Sequence, residues 1–342
     1  MDNKRKYWDP ETETMPLEKL KELQGKRLRE LTALAYEKTS LYQRKFDEAR
    51  IKPADIKTVD DIKKLPITDD VIDIRNRPLS DRLAIPPTEI ERINSTSGTT
   101  TGSAEPAPFN TKDTDILLDA EAQGRWTVGV RPHDTAQFLT NYDISEMGHD
   151  RLGSKFLLLS AGRFMLDKQI RIAKTTGVTI LEHFPSQLDK FASQAKEIGI
   201  DVKDLSLRMI IGIGEPLEDS KRTELEELFG VPIMTLWSTM ESGIMAAECE
   251  ARKGLHIFSH RLILEVVDPE TGVPLPDGEE GELIVTPLLY ETMPLIRYRT
   301  GDIGKILPYE PCSCGRTLPR MSKTIGRVSQ VKDKKGKKKG RL

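Results

Sequence analysis

The side chains best suited to chemistry fall in a few short stretches. Ser95-Thr96-Ser97-Gly98-Thr99-Thr100-Thr101-Gly102 crowds hydroxyls and two glycines directly behind an apolar run. Backbone N–H groups and hydroxyls in a loop of this kind can wrap a polyphosphate, although an ordinary surface turn has the same composition. The stretch does not match the GxxxxGK[ST] pattern, which argues against a P-loop nucleotidase. A second constellation is Cys249 and His256, seven residues apart, followed by Cys312-Ser313-Cys314. Three thiolates and one imidazole make a closed tetrahedral set for structural Zn²⁺, with no position open for catalysis. Three free thiols packed as small hydrophobes are the alternative, but Pro311, Ser313 and Gly315 are poor core context for the last two. His133, His149, His183 and His260 stand alone in the sequence, and each reads as a surface or satisfied core residue rather than a base. Trp237-Ser238-Thr239-Met240-Glu241, taken alone, reads as a strand end and helix start with a solvated acid. Tyr298-Arg299-Thr300-Gly301-Asp302 reads as a strand and turn.

The elements that must position these residues follow from periodicity. From Pro16 to about Ala49, leucines and alanines recur at spacings of three and four among charged residues, a helical pattern with one face to bury. Prolines at 53, 66, 78, 86 and 87 then break the chain into a winding connection with brief helices. Buried strands are expected at 135–140, 179–182, 207–211 and 232–236, with helices at 167–175, 187–198 and 217–228 between them. Strand and helix in alternation imply an α/β fold with a largely parallel sheet, whose phosphate-binding loops lie at the strand C-termini. From His256 the pattern changes to alternating β with turn-rich DPETG and PDGEEG, as in an antiparallel hairpin or small barrel.

With these elements placed, the chain resembles the adenylate-forming enzymes, and within them the phenylacetate–coenzyme A ligase branch. The resemblance runs in order through YWDPETETMP, SLYQRKFDEA, STSGTTTG, DLSLRMIIGIGEP, ECEARKGLHIF, DPETGVPLPDGEEGELIVT, MPLIRYRTGDIG, CSCGRTLPRM and IGRV, about 325 of the 342 residues. It implies a large domain over 1–330, made of a helical lead-in (1–90), an α/β part (91–250) and a β-rich subdomain (255–325). It implies that Thr96, Ser97, Gly98, Thr99, Thr100 and Gly102 hold ATP phosphates, and that Gly214-Glu215-Pro216 lies beside adenine. Trp237 of the Trp237-Ser238-Thr239-Met240-Glu241 segment stacks near adenine, with Ser238 and Thr239 beside it, and Glu241 helps hold Mg²⁺. Asp302 accepts both ribose hydroxyls, since a carboxylate offers one oxygen to each O–H of a cis-diol. Arg327 contacts the nucleotide near the hinge. Phe138, Tyr142 and Phe164 fall where relatives line the acyl pocket, and a similar Cys…His…Cys-x-Cys set occurs in the branch. Several positions depart from the pattern, among them Ile213 where glycine is usual and the hinge acid, replaced near Gln330. The loop's Gly-Lys-Pro ending is Gly102-Ser103-Ala104-Glu105-Pro106, glycine is replaced by Ser238, and a phosphate-contacting hydroxyl residue by Met240.

The expected reaction is activation of a carboxylic acid, aromatic in this branch, to an acyl-adenylate with ATP. The retained Glu241, Asp302 and Arg327 favour activity; the lost loop lysine, Met240 and an absent lid domain favour a non-catalytic nucleotide- or acyl-adenylate-binding protein. The family's C-terminal lid domain is expected to be missing, so that any thioester step would need a separate acceptor or lid-domain protein. A homodimer is also compatible with the sequence.

Composition bounds the setting. Among 342 residues, 52 Lys+Arg against 54 Asp+Glu give −2 net charge, which argues against a basic nucleic-acid binder. Residues 332–342 carry six Lys, one Arg and one Asp, or +6, leaving −8 on the rest; this tail (331–342) reads as a solvated end. No apolar run resembles a signal peptide or membrane span, and three cysteines exclude an extensive disulfide framework, so a cytoplasmic location is expected.

Overall fold

The computed structural model describes residues 5–96, 104–138, 143–157 and 165–329. The lead-in begins with a short helix α1 (Pro10–Glu13), capped by the Asp9 carboxylate, and continues as α2 (Leu17–Lys38) and α3 (Ser40–Glu48). The periodicity over 16–49 does not correspond to one helix. The chain breaks at Thr39, which is extended (φ −121°, ψ 132°) and whose hydroxyl accepts the Tyr42 N–H at the start of α3. A hydroxyl that satisfies an orphan N–H favours such a restart. Leu28, Leu31 and Ala35 of α2 join Tyr42 and Phe46 of α3 in the main apolar core. Beyond them the proline-rich connection forms short 3₁₀ turns and one π-helical turn, Asp70–Arg75.

Strands β1 (Arg92–Ser95) and β2 (Pro106–Phe109) pair antiparallel across the hydroxyl-rich loop. Helix α4 (Thr111–Val128) leads to β3 (Thr135–Phe138), α5 (Asp143–Leu152), β4 (Lys155–Phe156), α6 (Leu166–Thr176), β5 (Ile180–His183), α7 (Leu188–Glu197), β6 (Met209–Gly212), α8 (Asp219–Phe229) and β7 (Ile233–Thr239). The expected strands and helices are thus all present, with ends moved by one to three residues; 139–140 lie outside the described residues. Strands β4, β3, β5, β6 and β7 are neighbours in that order and parallel. The sheet then continues antiparallel through β8 (Gly243–Glu248), β9 (Leu255–Ile257) and β13 (Arg320–Met321). Strand β8 carried no alternation because all six residues are buried, so both of its faces read apolar. One apolar cluster contains Ala122 and Trp126 of α4, the other Leu188, Phe191, Leu225 and Phe229 of α7 and α8, so helices cover both sheet faces.

A second, antiparallel sheet is ordered β10 (Leu262–Val267), β11 (Gly281–Pro287), β12 (Tyr298–Gly304) and β14 (Gly326–Arg327), as the alternating pattern after His256 required. Its DPETG turn is closed by the Asp268 carboxylate, which accepts the N–H groups of Glu270 and Thr271. Strand β7 is the last of the parallel strands, and ligands of open α/β sheets bind beyond the carboxyl ends of such strands. No helix among the described residues is long and apolar enough to cross a membrane.

Candidate functional site

Three segments far apart in sequence meet at the end of β7. Trp237 donates its indole N–H to Asp302 at 2.9 Å. Asp302 pairs across the β12–β14 ladder with Arg327, whose Nε lies 3.0 Å from its carboxylate. Arg327 also donates to the Thr300 carbonyl at 2.6 Å. Gly301 between them has φ +73°, and an added Cβ would stand 3.3 Å from Arg327 Nη1, so the bend that presents Asp302 requires glycine. Burial raises the Asp302 pKa above the ordinary aspartate value, and Arg327 and Trp237 counter only part of that rise.

Glu241 follows in the turn that joins β7 to β8, so the segment leads into a strand and not into a helix start. Tyr298 Oη lies 3.1 Å from Glu241 and 3.0 Å from Asp70. A phenol has one proton to donate, so the two carboxylates share it, while Asp70 also accepts from Arg75 Nε at 2.7 Å. Burial raises the Glu241 pKa, and the Asp70 charge adds to the rise. Two hard carboxylate oxygens gathered on one phenol suit a small divalent cation.

The hydroxyl-rich loop is described only at its feet; Ser97, Gly98, Thr99, Thr100 and Gly102 lie outside the described residues. The feet are clamped: Thr96 N–H donates to the Glu105 carbonyl and Thr96 Oγ1 accepts the Glu105 N–H, both at 2.9 Å. The Glu105 carboxylate pairs with Arg82 at 2.9 Å and faces Arg75 at 3.9 Å, while Arg75 Nε donates to Asp70 at 2.7 Å. The sequence reading missed Asp70, Arg75 and Arg82. They lie in the proline-rich connection, where no spacing marks them.

Gly214-Glu215-Pro216 follows β6. Gly214 has φ +76°, and a Cβ there would stand 2.7 Å from the Phe184 ring. Glu215 accepts the backbone N–H and the hydroxyl of Ser186, each at 3.0 Å, tying the loops after β5 and β6 together. The Phe184 ring meets Phe138 edge-on at 6.0 Å; Tyr142 and Phe164 lie outside the described residues.

The histidines need correction. His149 is not isolated: its Nε2 lies 2.8 Å from Glu182 and its Nδ1 2.6 Å from Ser154 Oγ. Glu182 binds Arg125 through two bonds of 2.9 Å, Arg125 reaches Glu121 at 2.7 Å, and Glu121 accepts the Ile244 N–H at the start of β8. All four charged or titratable side chains are buried. Burial opposes the Glu182 charge, but Arg125 and His149 outweigh it and hold the carboxyl well below the usual range. Burial keeps His149 below the ordinary histidine value. His183 and His260 are buried without being fully satisfied: Nδ1 of the first and both ring nitrogens of the second have no hydrogen-bond partner among the described residues. His133 is exposed.

The four metal-ligating candidates converge. Cys249, at the end of β8, His256 in β9, and Cys312 and Cys314 before β13 bring their ligand atoms within 4.8 Å of one another, all buried. Cys249 Sγ and Cys312 Sγ stand 3.7 Å apart, far beyond an S–S bond of about 2.05 Å. Zinc–sulfur bonds of about 2.3 Å in a tetrahedron place two sulfurs roughly 3.8 Å apart, so the spacing fits. His256 directs Nε2 to Cys314 Sγ at 3.4 Å while Nδ1 lies 3.2 Å from the Leu318 carbonyl. That outer bond leaves Nε2 as the ligating nitrogen.

Comparison with known proteins places the chain among its relatives. Residues 138–287 match the AMP-binding enzyme family. The chain is 32% identical over 333 residues to a phenylacetate-coenzyme A ligase of Thermus thermophilus, covering 95% of this chain and 74% of the relative. It is 31% identical over 330 residues to the phenylacetate-coenzyme A ligase of Escherichia coli, covering 93% and 74%. Among solved structures, 2-hydroxyisobutyryl-CoA ligase in complex with 2-HIB-AMP and CoA superposes with a TM-score of 0.89 at 25% identity, over 96% of this chain and 72% of that one. Its postadenylation state with 2-HIB-AMP gives 0.91 at 24% identity, over 98% and 74%. The fold is therefore that of the large domain of adenylate-forming enzymes, and the chain belongs to the phenylacetate–coenzyme A ligase family of AMP-binding enzymes.

Proposed function

We propose that this chain activates an aromatic carboxylic acid with ATP, forming an acyl-adenylate and pyrophosphate, and that the adenylate is then passed to coenzyme A. The observation that carries the reading is the meeting of Trp237, Asp302 and Arg327 beside Glu241 at the end of β7. In it, Asp302 accepts the ribose hydroxyls, with Trp237 and Arg327 orienting the carboxylate. Trp237, Ser238, Thr239 and the Gly214-Glu215-Pro216 loop flank adenine, and the Thr96–Gly102 loop and Arg327 face the phosphates. The acid needs no general base, because a carboxylate is already ionised at neutral pH. Its oxygen attacks the α-phosphorus, the bond to the β-phosphate oxygen breaks, and pyrophosphate leaves with that electron pair. Glu241 is the residue to hold Mg²⁺, which neutralises triphosphate charge.

Cys249, His256, Cys312 and Cys314 are proposed to hold a structural zinc. Four protein ligands leave it no place in the reaction.

Incubation with ATP, Mg²⁺ and a panel of aryl acids should yield an acyl-AMP detectable by mass spectrometry. Adding coenzyme A separates a chain that finishes the thioester from one that hands its adenylate to a partner. AMP binding with no acyl-AMP from any acid would favour the non-catalytic reading, to which Met240 and the lysine-free loop end point.

A further inference from the structure

The loop that would face the triphosphate has no lysine or arginine from Ser95 to Pro106, and its last foot carries an acid, Glu105. A polyphosphate-facing segment without a cation and with a fixed anion is electrostatically incomplete. Cations stand beside its described foot, Glu105, on another element. Two arginines from the 70–82 region converge on Glu105, and they are unlike each other. Arg82 is 2% exposed and spends Nη1 on the carbonyls of Ile74 and Arg77 while Nη2 binds Glu105 at 2.9 Å. It is an internal strut that neutralises the acid. Arg75 keeps some exposure, is anchored at Nε by Asp70, and holds Nη1 at 3.9 Å from Glu105, an electrostatic contact longer than a hydrogen bond. It sits at the end of the π-helical turn Asp70–Arg75; such turns recur at functional sites. Asp70 also shares the Tyr298 hydroxyl with Glu241, so the Arg75 guanidinium and the Glu241 carboxylate are linked through two residues.

We propose that Arg75 is the cation that meets the β- and γ-phosphates of ATP, supplied by the π-helical turn in place of a loop lysine, with Glu105 as its anionic counterpart when no nucleotide is bound. The inference rests on the adenylation reading and adds a residue to it. Because AMP lacks the β- and γ-phosphates, the inference separates the two nucleotides, which a merely structural arginine would not.

The test is calorimetric titration of the full chain with Mg²⁺ and the non-hydrolysable α,β-methylene analogue of ATP, and separately with AMP. Arg75→Gln should weaken analogue binding by about 10- to 100-fold, the range for a charge-assisted hydrogen bond, and leave AMP binding within twofold. Arg75→Lys should recover part of the loss. Glu105→Gln, which leaves Arg75 in place, should tighten analogue binding without changing AMP, and decides the matter if Arg75→Gln does not fold. Equal losses for both nucleotides, or no loss, would overturn the role of Arg75 while the adenylation reading stands. A wild-type chain that binds neither nucleotide would overturn that reading and this inference with it.

Discussion

Asp302 and Glu241 are carboxylates that burial makes reluctant to ionise, and in the proposed adenylation each acts as an anion. Glu241→Gln should lower adenylation by on the order of 10²-fold, the usual cost of removing one preorganised charge-stabilising group, read from steady-state pyrophosphate release. Trp237→Phe leaves Asp302 without its indole donor and should weaken AMP binding roughly tenfold. The pH dependence has a definite sign. Both pKa values are raised, so the acid limb of Mg·ATP binding lies above the ordinary carboxylate range of about 4. For stability these two groups act oppositely: the folded chain holds their protons to higher pH than the unfolded chain does. Their contribution is fully present below the unfolded pKa and is lost as pH rises through the folded pKa. A titration of Mg²⁺ affinity against pH, alongside thermal melts of Asp302→Asn, checks both directions. Trp237–Glu241 and Tyr298–Asp302 were legible in the sequence because each is a contiguous run. Asp70 and Arg75 were not, because their partners Tyr298 and Glu105 are joined to them only by folding.

Helix α4 is held to the sheet by charge as well as by apolar packing. Arg125, with Glu121, Glu182 and His149, links α4, α5 and β5 to the first residues of β8. Arg125→Met would leave two buried carboxylates without their cation and should cost about 3–5 kcal/mol, seen as a lowered denaturation midpoint. Glu182, with its lowered pKa, stabilises the fold at pH above its unfolded value and loses that contribution as pH falls. Gly124→Ala should destabilise by about 1–3 kcal/mol, because the new Cβ would come within 2.6 Å of Ile244 Cγ2 in β8. Strands β5, β6 and β7 were readable as short apolar runs between amphipathic helices. Strand β8 was not, since burial on both faces removes the alternation that identifies a half-exposed strand. His149 was read as isolated because Glu182 is 33 residues away in sequence and becomes its neighbour only when β5 enters the sheet.

Across the whole molecule, the cysteine cluster ties the end of the described chain to its beginning. Tyr7 donates to the Cys314 carbonyl at 3.0 Å, Glu13 pairs with Arg316 at 2.7 Å, and Thr317 N–H reaches the Glu13 carbonyl at 3.1 Å. Zinc bound there would stabilise this junction. Purified protein should carry about one zinc per chain by elemental analysis, and Cys312→Ser or strong chelation should lower Tm by several degrees. Chelation should also increase hydrogen exchange near Tyr7 as well as near Cys314. The cysteine set was visible in the sequence as a ligand inventory, but its link to the N-terminal segment depends on contacts spanning some 300 residues. As proposed, this assembly moves AMP onto a carboxylate. Isotope exchange between pyrophosphate and ATP, measured with and without phenylacetate, tests it most directly. Exchange that depends on the acid and on Mg²⁺ and is lost in Asp302→Ala is the expected result; absence of acid-dependent exchange with every aryl acid, in protein that binds ATP, would contradict the adenylation proposal.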